Sequence, residues 1–546
     1  MNKKTYIIIL FTFFLLILPV SAHPGEIIWQ QTLGGPAEEW GYSLDSTADG
    51  GIISVGITHS LDASGTDEQR NGDLWVNRLD KNGNLLWDRA FGGSETDYGL
   101  SVRTISDDGF IIVGTTGSNN GNISGYYGNG DLMVLRLSSS GNPLWHKVYG
   151  GNQTDEGGDI LQTPDGGFIL TGYTVSDDGD VSGHHGGGDL WIVRLDSSGT
   201  IVWQKTYGGS GRDSGSSIIR TSDGGYALTG NTYSSDGDIT KNQGSSDLWV
   251  LKTDDLGNLL WNKTYGGSKL DWGHSLIELS GGDLLVAGVT VSSDGDVSIN
   301  KGVGDIWVLK LTPAGEKIWE KTYGGSFSDN VWNAEPSPSG GAYLVGETFS
   351  VDGDFIQSQG DSDLVIFEID GNGTMVWNLT LGGSQYESGS WVKLLTDGNL
   401  VVSGITQSPD GDVSGYTDGG DLWIVKVNAS IESEQPIVEI PAENVKIVMD
   451  VSANQTPSLP PTSQPSSSAL LPPLPGLSVP PQDLNGDRRY EDLNGNGALD
   501  LQDPAVFFSN YEWIVANYPS LACDFNGNGG IDFGDISALF SEVSGL

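Results

Sequence analysis

Residues 203–230 read WQKTYGGSGRDSGSSIIRTSDGGYALTG. A tryptophan, a lysine-threonine-tyrosine run, a glycine pair, an acid and a DGG turn follow one another within a short span, and the pattern returns along the chain at a spacing of 58 residues. The tryptophan recurs at Trp29, Trp87, Trp145, Trp203, Trp261, Trp319 and Trp377. The glycine pair recurs from Gly34-Gly35 to Gly382-Gly383. A second series sits at Asp73, Asp131, Asp189, Asp247, Asp305, Asp363 and Asp421. Seven copies without insertion or deletion define a repeat architecture.

Each copy carries four strand-like runs separated by turn signals. In the third copy these are GGDILQT (157–163), GFILTGYT (167–174), DLWIVRLD (189–196) and TIVWQKTY (200–207). The apolar runs show little strict alternation, which predicts strands packed on both faces. Four strands per unit and seven units predict a mainly β chain, a seven-bladed β-propeller. The first copy opens with its Trp strand, IIWQQTLGG at 27–35, and the last ends with DLWIVKV at 421–427 with no Trp strand after it. The N-terminal strand is therefore expected to complete the last blade, which closes the ring and removes exposed edges. An open array would carry atypical capping repeats, and none is visible.

On these residues the repeat resembles a bacterial and archaeal β-propeller repeat family whose units read W-x-K-T-Y-G-G-S followed by D-G-G-[YF]. The resemblance covers residues 27–428 and implies the fold. It implies little about function, because many exported proteins carry such repeats.

The flanking segments differ in texture. Lys3 and Lys4, the apolar stretch 6–18 and Val20-Ser21-Ala22 read as a secretory signal peptide over 1–22. The propeller is expected over 23–430. A linker over 431–482 holds a possible strand at 445–451 and a Pro/Ser-rich spacer from 455 to 482. With Cys523 the only cysteine, no internal disulfide is available, and the domains must rest on burial, sheet closure or metal. Sequons at Asn122, Asn152, Asn262, Asn372, Asn378, Asn428 and Asn454 are consistent with surface glycosylation. Lys and Arg total 26 against 71 Asp and Glu, a formal charge of −45. Such a field repels nucleic acid and anionic membranes and attracts cations. No stretch after the leader is long and apolar enough to span a bilayer.

The last segment, 483–546, contains two loops of one design: DLNGNGALDLQD (492–503) and DFNGNGGIDFGD (524–535). An EF-hand loop places calcium ligands at positions 1, 3, 5, 7, 9 and 12 with Gly at 6. The first loop supplies Asp492, Asn494, Asn496, the Ala498 carbonyl, Asp500 and Asp503 around Gly497. The second supplies Asp524, Asn526, Asn528, the Gly530 carbonyl, Asp532 and Asp535 around Gly529. Leu499 and Ile531 occupy the apolar bridging position, and helical stretches follow from Pro504 and from Ile536. Upstream, Asp483, Asn485, Asp487 and Glu491 form a further candidate set, with Arg488 where a pivot glycine would stand. The duplication, with Asp rather than Glu at position 12 and no entering helix, resembles a type I dockerin. That resemblance implies bound Ca²⁺ and a cohesin-type domain as partner. Positions 10 and 11, which help select the cohesin in that family, are Leu501-Gln502 and Phe533-Gly534 and differ between the two copies.

Within the propeller, a DGD element recurs at Asp178/Asp180, Asp236/Asp238, Asp294/Asp296, Asp352/Asp354 and Asp410/Asp412, with Asn119, Asn120 and Asn122 in the related place of the second copy. It reads as turn chemistry, with calcium binding the alternative. Glu39, Asp97, Asp155, Asp213, Asp271, Asp329 and Glu387 predict a ring of carboxylates on one face. Seven equivalent acids argue for a structural role, because glycosidase chemistry needs two carboxylates in unlike environments. Trp40, Tyr98 and Trp272 follow three of these acids and have the faces that stack on sugar rings. The six histidines form no ligand spacing, and no nucleophile elbow or phosphate loop is present. No catalytic residue is assigned. The expected function is an exported or cell-surface recognition protein whose propeller binds a ligand, with a glycan the expected class, and whose tail docks to a cohesin. An extracellular polysaccharide hydrolase or lyase and a calcium-dependent lectin are the alternatives.

Overall fold

The computed structural model describes residues 25–60, 71–123, 125–356 and 358–429. The leader (1–22), the segment 431–482 and the whole of 483–546 lie outside the described residues.

Among the described residues, twenty-eight strands form seven four-stranded antiparallel sheets, six of them with neighbours in sequence order. In the third blade the strands are Asp155–Gln162, Phe168–Thr174, Asp189–Leu195 and Ile201–Tyr207. The first, innermost strand of each blade packs on the first strands of both neighbours, around the whole ring. Six blades are contiguous in sequence. The seventh takes its outer strand from the other end of the chain: Ile27–Leu33 pairs antiparallel with Asp421–Val427. The expected closure is what the molecule has.

Burial follows strand position. In six of the seven blades every residue of the third strand is buried, and Trp191, Trp249, Trp307 and Trp423 are buried on their third strands. These strands lie between a hydrogen-bonded neighbour on each side and a further blade above and below, so both faces are covered and no polar face is needed. Each of these indoles donates to a side chain on the outer strand, as Trp191 Nε1 does to Gln204 Oε1 at 2.8 Å. Outer strands are wetter, with Val202 and Leu260 exposed. The inner strand bulges after its glycine, between Gly157 and Asp159 in the third blade. The bulged backbone crosses the second strand so closely that a β-carbon on Gly172 would lie 2.1 Å from Glu156 O. That contact accounts for the glycine at this place in all seven copies.

Adjacent blades interlock through the aromatic residues of the outer strand. Tyr149, Tyr265 and Tyr323 donate to the carbonyls of Gly199, Gly315 and Gly373 in the next blade at 2.5, 2.5 and 2.6 Å. The series Trp29 to Trp377 therefore belongs to packing between blades: at Gly257, which has φ +74°, a β-carbon would lie 2.6 Å from the Trp203 ring.

A cation near the end of the third strand reaches back to the turn between first and second strands. Arg194 Nη2 meets Asp165 Oδ1 at 2.5 Å, and Lys252 Nζ meets Asp223 Oδ1 at 2.7 Å. In the sixth blade Ser339 replaces the turn aspartate, and Glu368 replaces the cation, bonding the Ser337 hydroxyl and Trp377 Nε1 instead. The two positions have changed together. Glu368→Lys is expected to destabilise by about 1 kcal/mol through loss of these hydrogen bonds. Adding Ser339→Asp should recover that loss, and denaturant titration of the single and double variants checks the coupling.

Candidate functional site

The acids predicted as a ring on one face are interior groups. Glu39, Asp97, Asp155, Asp213, Asp271, Asp329 and Glu387 each open an inner strand and are fully buried. Asp155 shows the arrangement: Oδ1 accepts from the Thr174 hydroxyl, and Oδ2 accepts from Gly151 N at 2.8 Å and Ser176 Oγ at 2.8 Å. The Thr and Ser lie 19 and 21 residues after the acid in the sequence, which is why the acid reads as exposed when only its own neighbours are considered. These carboxylates are spent on holding the Gly-Gly turn and offer no face to a ligand.

The DGD elements complete the same clamp. Asp178 Oδ1 accepts from Asn152 N at 2.8 Å, and Asp180 Oδ2 accepts from Gly150 N at 3.3 Å. In the second blade the amide oxygens of Asn120 and Asn122 accept the equivalent bonds from Ser94 N and Gly92 N, both at 2.9 Å. A neutral amide does the same work, so the clamp needs no charge and no cation. The aspartate before each third strand is likewise a loop acceptor: Asp247 Oδ2 takes Gln243 N at 2.8 Å.

What breaks the sevenfold repeat lies along the central channel. On the side of the Gly-Gly turns the inner strands carry an aromatic arc. Trp40 stacks near Tyr42 with centroids 6.4 Å apart, and it also meets Tyr386 at 6.4 Å. Tyr42 in turn meets Tyr98 of the next blade at 6.4 Å. Burial, then Tyr98 and Glu38, push the Tyr42 hydroxyl up to about 12, so it stays a neutral donor. Tyr386 donates to Glu347 Oε2 at 2.5 Å, and Asn330 Nδ2 donates to Glu347 Oε1 at 2.7 Å. Across the arc, His274 lies flat on Trp332 at 4.7 Å and 9°, leaving Trp332 41% exposed. His274 Nδ1 sits 2.7 Å from the Val331 carbonyl, which can only accept, so the proton is on Nδ1. Burial holds the imidazole below its ordinary range and hence neutral. In the third and fourth blades the places of Tyr42 and Trp332 fall to Gly158 and Ser216. The arc is open there.

The other end of the channel is a cavity of about 390 Å³. Its wall from the third to the fifth blade carries Leu161, Ile219 and Ile277, with Asp159, Arg220 and Glu278 among them. The opposite wall is charged. Arg103 bonds Asp159 at 2.6 Å and lies 4.7 Å over the Trp391 ring, and Lys393 stands 3.2 Å from Glu335 and 3.8 Å from Asp45. Burial raises the Glu335 carboxyl, with Lys393 opposing.

Trp40 and Tyr98 take part in the arc, and Trp272 stands on the same turn-proximal part of its inner strand. Sequence reasoning missed Tyr42, His274, Trp332, Arg103, Glu335 and Lys393. A signal existed: read at the 58-residue spacing, the places of Tyr42 and Asp45 are occupied by unlike residues in a chain that otherwise repeats. The calcium-loop ligands, Asp492 to Asp503, Asp524 to Asp535 and the upstream Asp483 to Glu491, lie outside the described residues. Of the sequons, Asn428 is buried.

No family model matches the chain. The regulatory protein FlaEY of Caulobacter vibrioides is 23% identical over 419 residues, covering 67% of this chain. The chain spans 42% of the length of that relative. Among solved structures, Sqt1 from Chaetomium thermophilum aligns with 75% of this chain and 100% of its own at 14% identity and a TM-score of 0.39. The Pan2 WD40 domain of Neurospora crassa aligns over 74% and 97% at 10% identity and 0.38. The NanB sialidase from Streptococcus pneumoniae aligns over 74% and 71% at 10% identity and 0.34. The propeller assignment rests on the strand pairing and not on these likenesses.

Proposed function

We propose that this protein is an exported recognition platform. Its propeller takes a glycan at the aromatic arc, and its dockerin-like tail holds Ca²⁺ and docks to a cohesin-type domain. The observation that carries the glycan reading is the arc itself. In a ring built from near-identical blades, the unlike side chains gather at the channel, and on one side they are aromatic with hydrogen-bonding groups between them. Sugar rings present C–H faces to such rings and hydroxyls to groups such as Glu347 and Asn330. The strongly negative chain disfavours anionic ligands, so a neutral or basic sugar is the substrate class. The leader and the paired loops support export and calcium-dependent docking.

The test uses the mature chain on a glycan array and in cohesin capture, with calcium or chelator present. Trp40→Ala with Trp332→Ala is expected to weaken glycan retention tenfold or more and leave cohesin capture unchanged. Asp524→Ala with Asp535→Ala should do the converse. If both variant pairs keep both activities, the assignment of sites is wrong.

A second reading, a polysaccharide hydrolase or lyase, has one observation in its favour. Glu335 and Asp45 flank Lys393 in unlike surroundings at the other end of the channel. Release of reducing ends by the mature chain, lost in Glu335→Gln, would establish it.

A further inference from the structure

Each blade brings two buried carboxylates to the first glycine of its Gly-Gly pair. At Gly150, the point a β-carbon would occupy is 2.5 Å from Asp155 Oδ2 and 2.9 Å from Asp131 Oδ1. The same point lies 2.7 and 2.8 Å from Asp189 and Asp213 at Gly208, and 2.7 Å from both Asp247 and Asp271 at Gly266. At Gly324 it is 2.8 and 2.5 Å from Asp305 and Asp329, and at Gly382 it is 2.0 and 2.7 Å from Asp363 and Glu387. All ten acids are fully buried. The inner-strand acids are saturated with donors, as shown for Asp155. Among the described residues, the Oδ1 atoms of Asp131, Asp189, Asp247, Asp305 and Asp363 take no hydrogen bond from any group. An unpaired buried carboxylate oxygen beside a second anion is strongly disfavoured. Something must supply a donor.

The seventh blade shows what these five lack. There the equivalent oxygen, Asp421 Oδ1, accepts from the Thr417 hydroxyl at 2.9 Å. We propose that Asp131, Asp189, Asp247, Asp305 and Asp363 each take up a proton in mild acid, which makes the ring tighter there and looser at neutral pH. The added proton relieves the charge that the Thr417 hydrogen relieves in the seventh blade, and neighbouring carboxyls that cannot both ionise readily are its chemical basis.

The groups facing these sites are mostly further acids. Asp155 and Asp180 face Asp131, with Tyr126 beside it. Asp271, Asp296 and Lys241 face Asp247, and Asp329, Asp354 and Lys301 face Asp305. Glu387 and Asp412 face Asp363. Lys301 is itself bonded to Asp354, and Lys317 to Asp296 at 3.1 Å. Asp189 differs, because His185 Nδ1 lies 2.8 Å from its Oδ2, with His184 near. Burial first, with nearby carboxylates adding to it, pushes Asp131, Asp247 and Asp305 up to about 6. An unfolded aspartate titrates near ~3.9. The folded state therefore binds more protons between these values. Stability is held in full below about pH 4 and is lost as pH rises through about 6.

The test is the unfolding equilibrium of the mature chain from pH 5 to 8, in chelator and in calcium. It compares the unsubstituted chain with Asp131→Asn/Asp247→Asn/Asp305→Asn, whose amides supply the missing donor without a proton. A charge control replaces three exposed acids: Asp108→Asn/Asp177→Asn/Asp255→Asn. Over pH 5 to 8 the unsubstituted chain should lose folding equilibrium as pH rises, by about tenfold per pair. The buried triple variant should be the more stable protein at pH 7.5 and show a shallower slope, while the control keeps the original slope. Equal slopes overturn the proposal. So does a buried triple variant that is weaker at pH 7.5 only in calcium, because the pairs would then hold a cation. Should the buried variant fail to fold, infrared spectroscopy of the unsubstituted chain decides: a protonated-carboxyl band at pH 5.5 that fades by pH 7.5 supports the added proton, and its absence overturns it.

Discussion

Removal of residues 25–35 from the mature chain is expected to destroy the single cooperative unfolding of the propeller. The strand Ile27–Leu33 supplies the outer edge of the last blade, with Gln31 opposite Ile424 and Leu33 opposite Leu422. Trp423 Nε1 finds its acceptor only here, donating to Gln30 Oε1 at 3.0 Å, the bond that other blades make within one repeat. Leu33 is buried, and Ile27 and Trp29 pack on the clusters of the two blades that flank the seam. Lost burial of these three side chains alone is worth about 5 kcal/mol. The deletion also leaves Asp421–Val427 as an open strand edge lined by buried apolar residues, a template for pairing between molecules. Broadened melting and concentration-dependent association should result, and a peptide spanning 25–36 added in trans should reverse both. A truncated chain that melts like the intact one would rule out closure by this strand.

The second large effect is expected at a single buried acid. Asp213 Oδ2 accepts from Gly209 N at 2.8 Å and Ser234 Oγ at 2.7 Å, and Oδ1 accepts from the Thr232 hydroxyl. Asp213→Ala strands three donors in a site closed to solvent. With unsatisfied buried donors costing about 1–3 kcal/mol each, a loss of at least about 3 kcal/mol is expected. Chemical denaturation of Asp213→Ala against Thr232→Val, which removes one donor with its bond, measures it. A loss below 1 kcal/mol for the alanine variant would show that the Gly-Gly clamp is not a stabilising element.

The blades were legible because their determinants repeat. The spacing of Trp29 to Trp377 and of the Gly-Gly pairs contains the period, and the apolar runs place strands to within a residue or two: 189–196 against Asp189–Leu195, and 167–174 against Phe168–Thr174. The apolar run places the start of the inner strand at 157, and the strand begins at Asp155. Asp155 and Glu156 read as loop residues, and only the folded positions of Thr174 and Ser176 turn a carboxylate into a strand residue. The same long-range satisfaction moves the expected ring of acids from the surface to the interior. The channel was illegible for the opposite reason. Its character resides in the residues that do not repeat, such as Trp332 against Ser216, and their meaning depends on which of them stand side by side once the ring is closed.

Closure between the two ends of the propeller also sets the order of events in biosynthesis. The first strand of the propeller is the last to find its partner, because Asp421–Val427 follows it by almost 400 residues. At common translation rates it waits roughly 20–80 s for its partner strand to be made. During that interval neither a blade edge nor the central channel exists in final form, and the six contiguous blades can form while the ring stays open. The seam at Ile27–Leu33 is thus a clasp fastened after synthesis of the propeller is complete. Any factor that guards the chain against premature pairing has one short segment to hold, and releasing it is the step that completes the molecule.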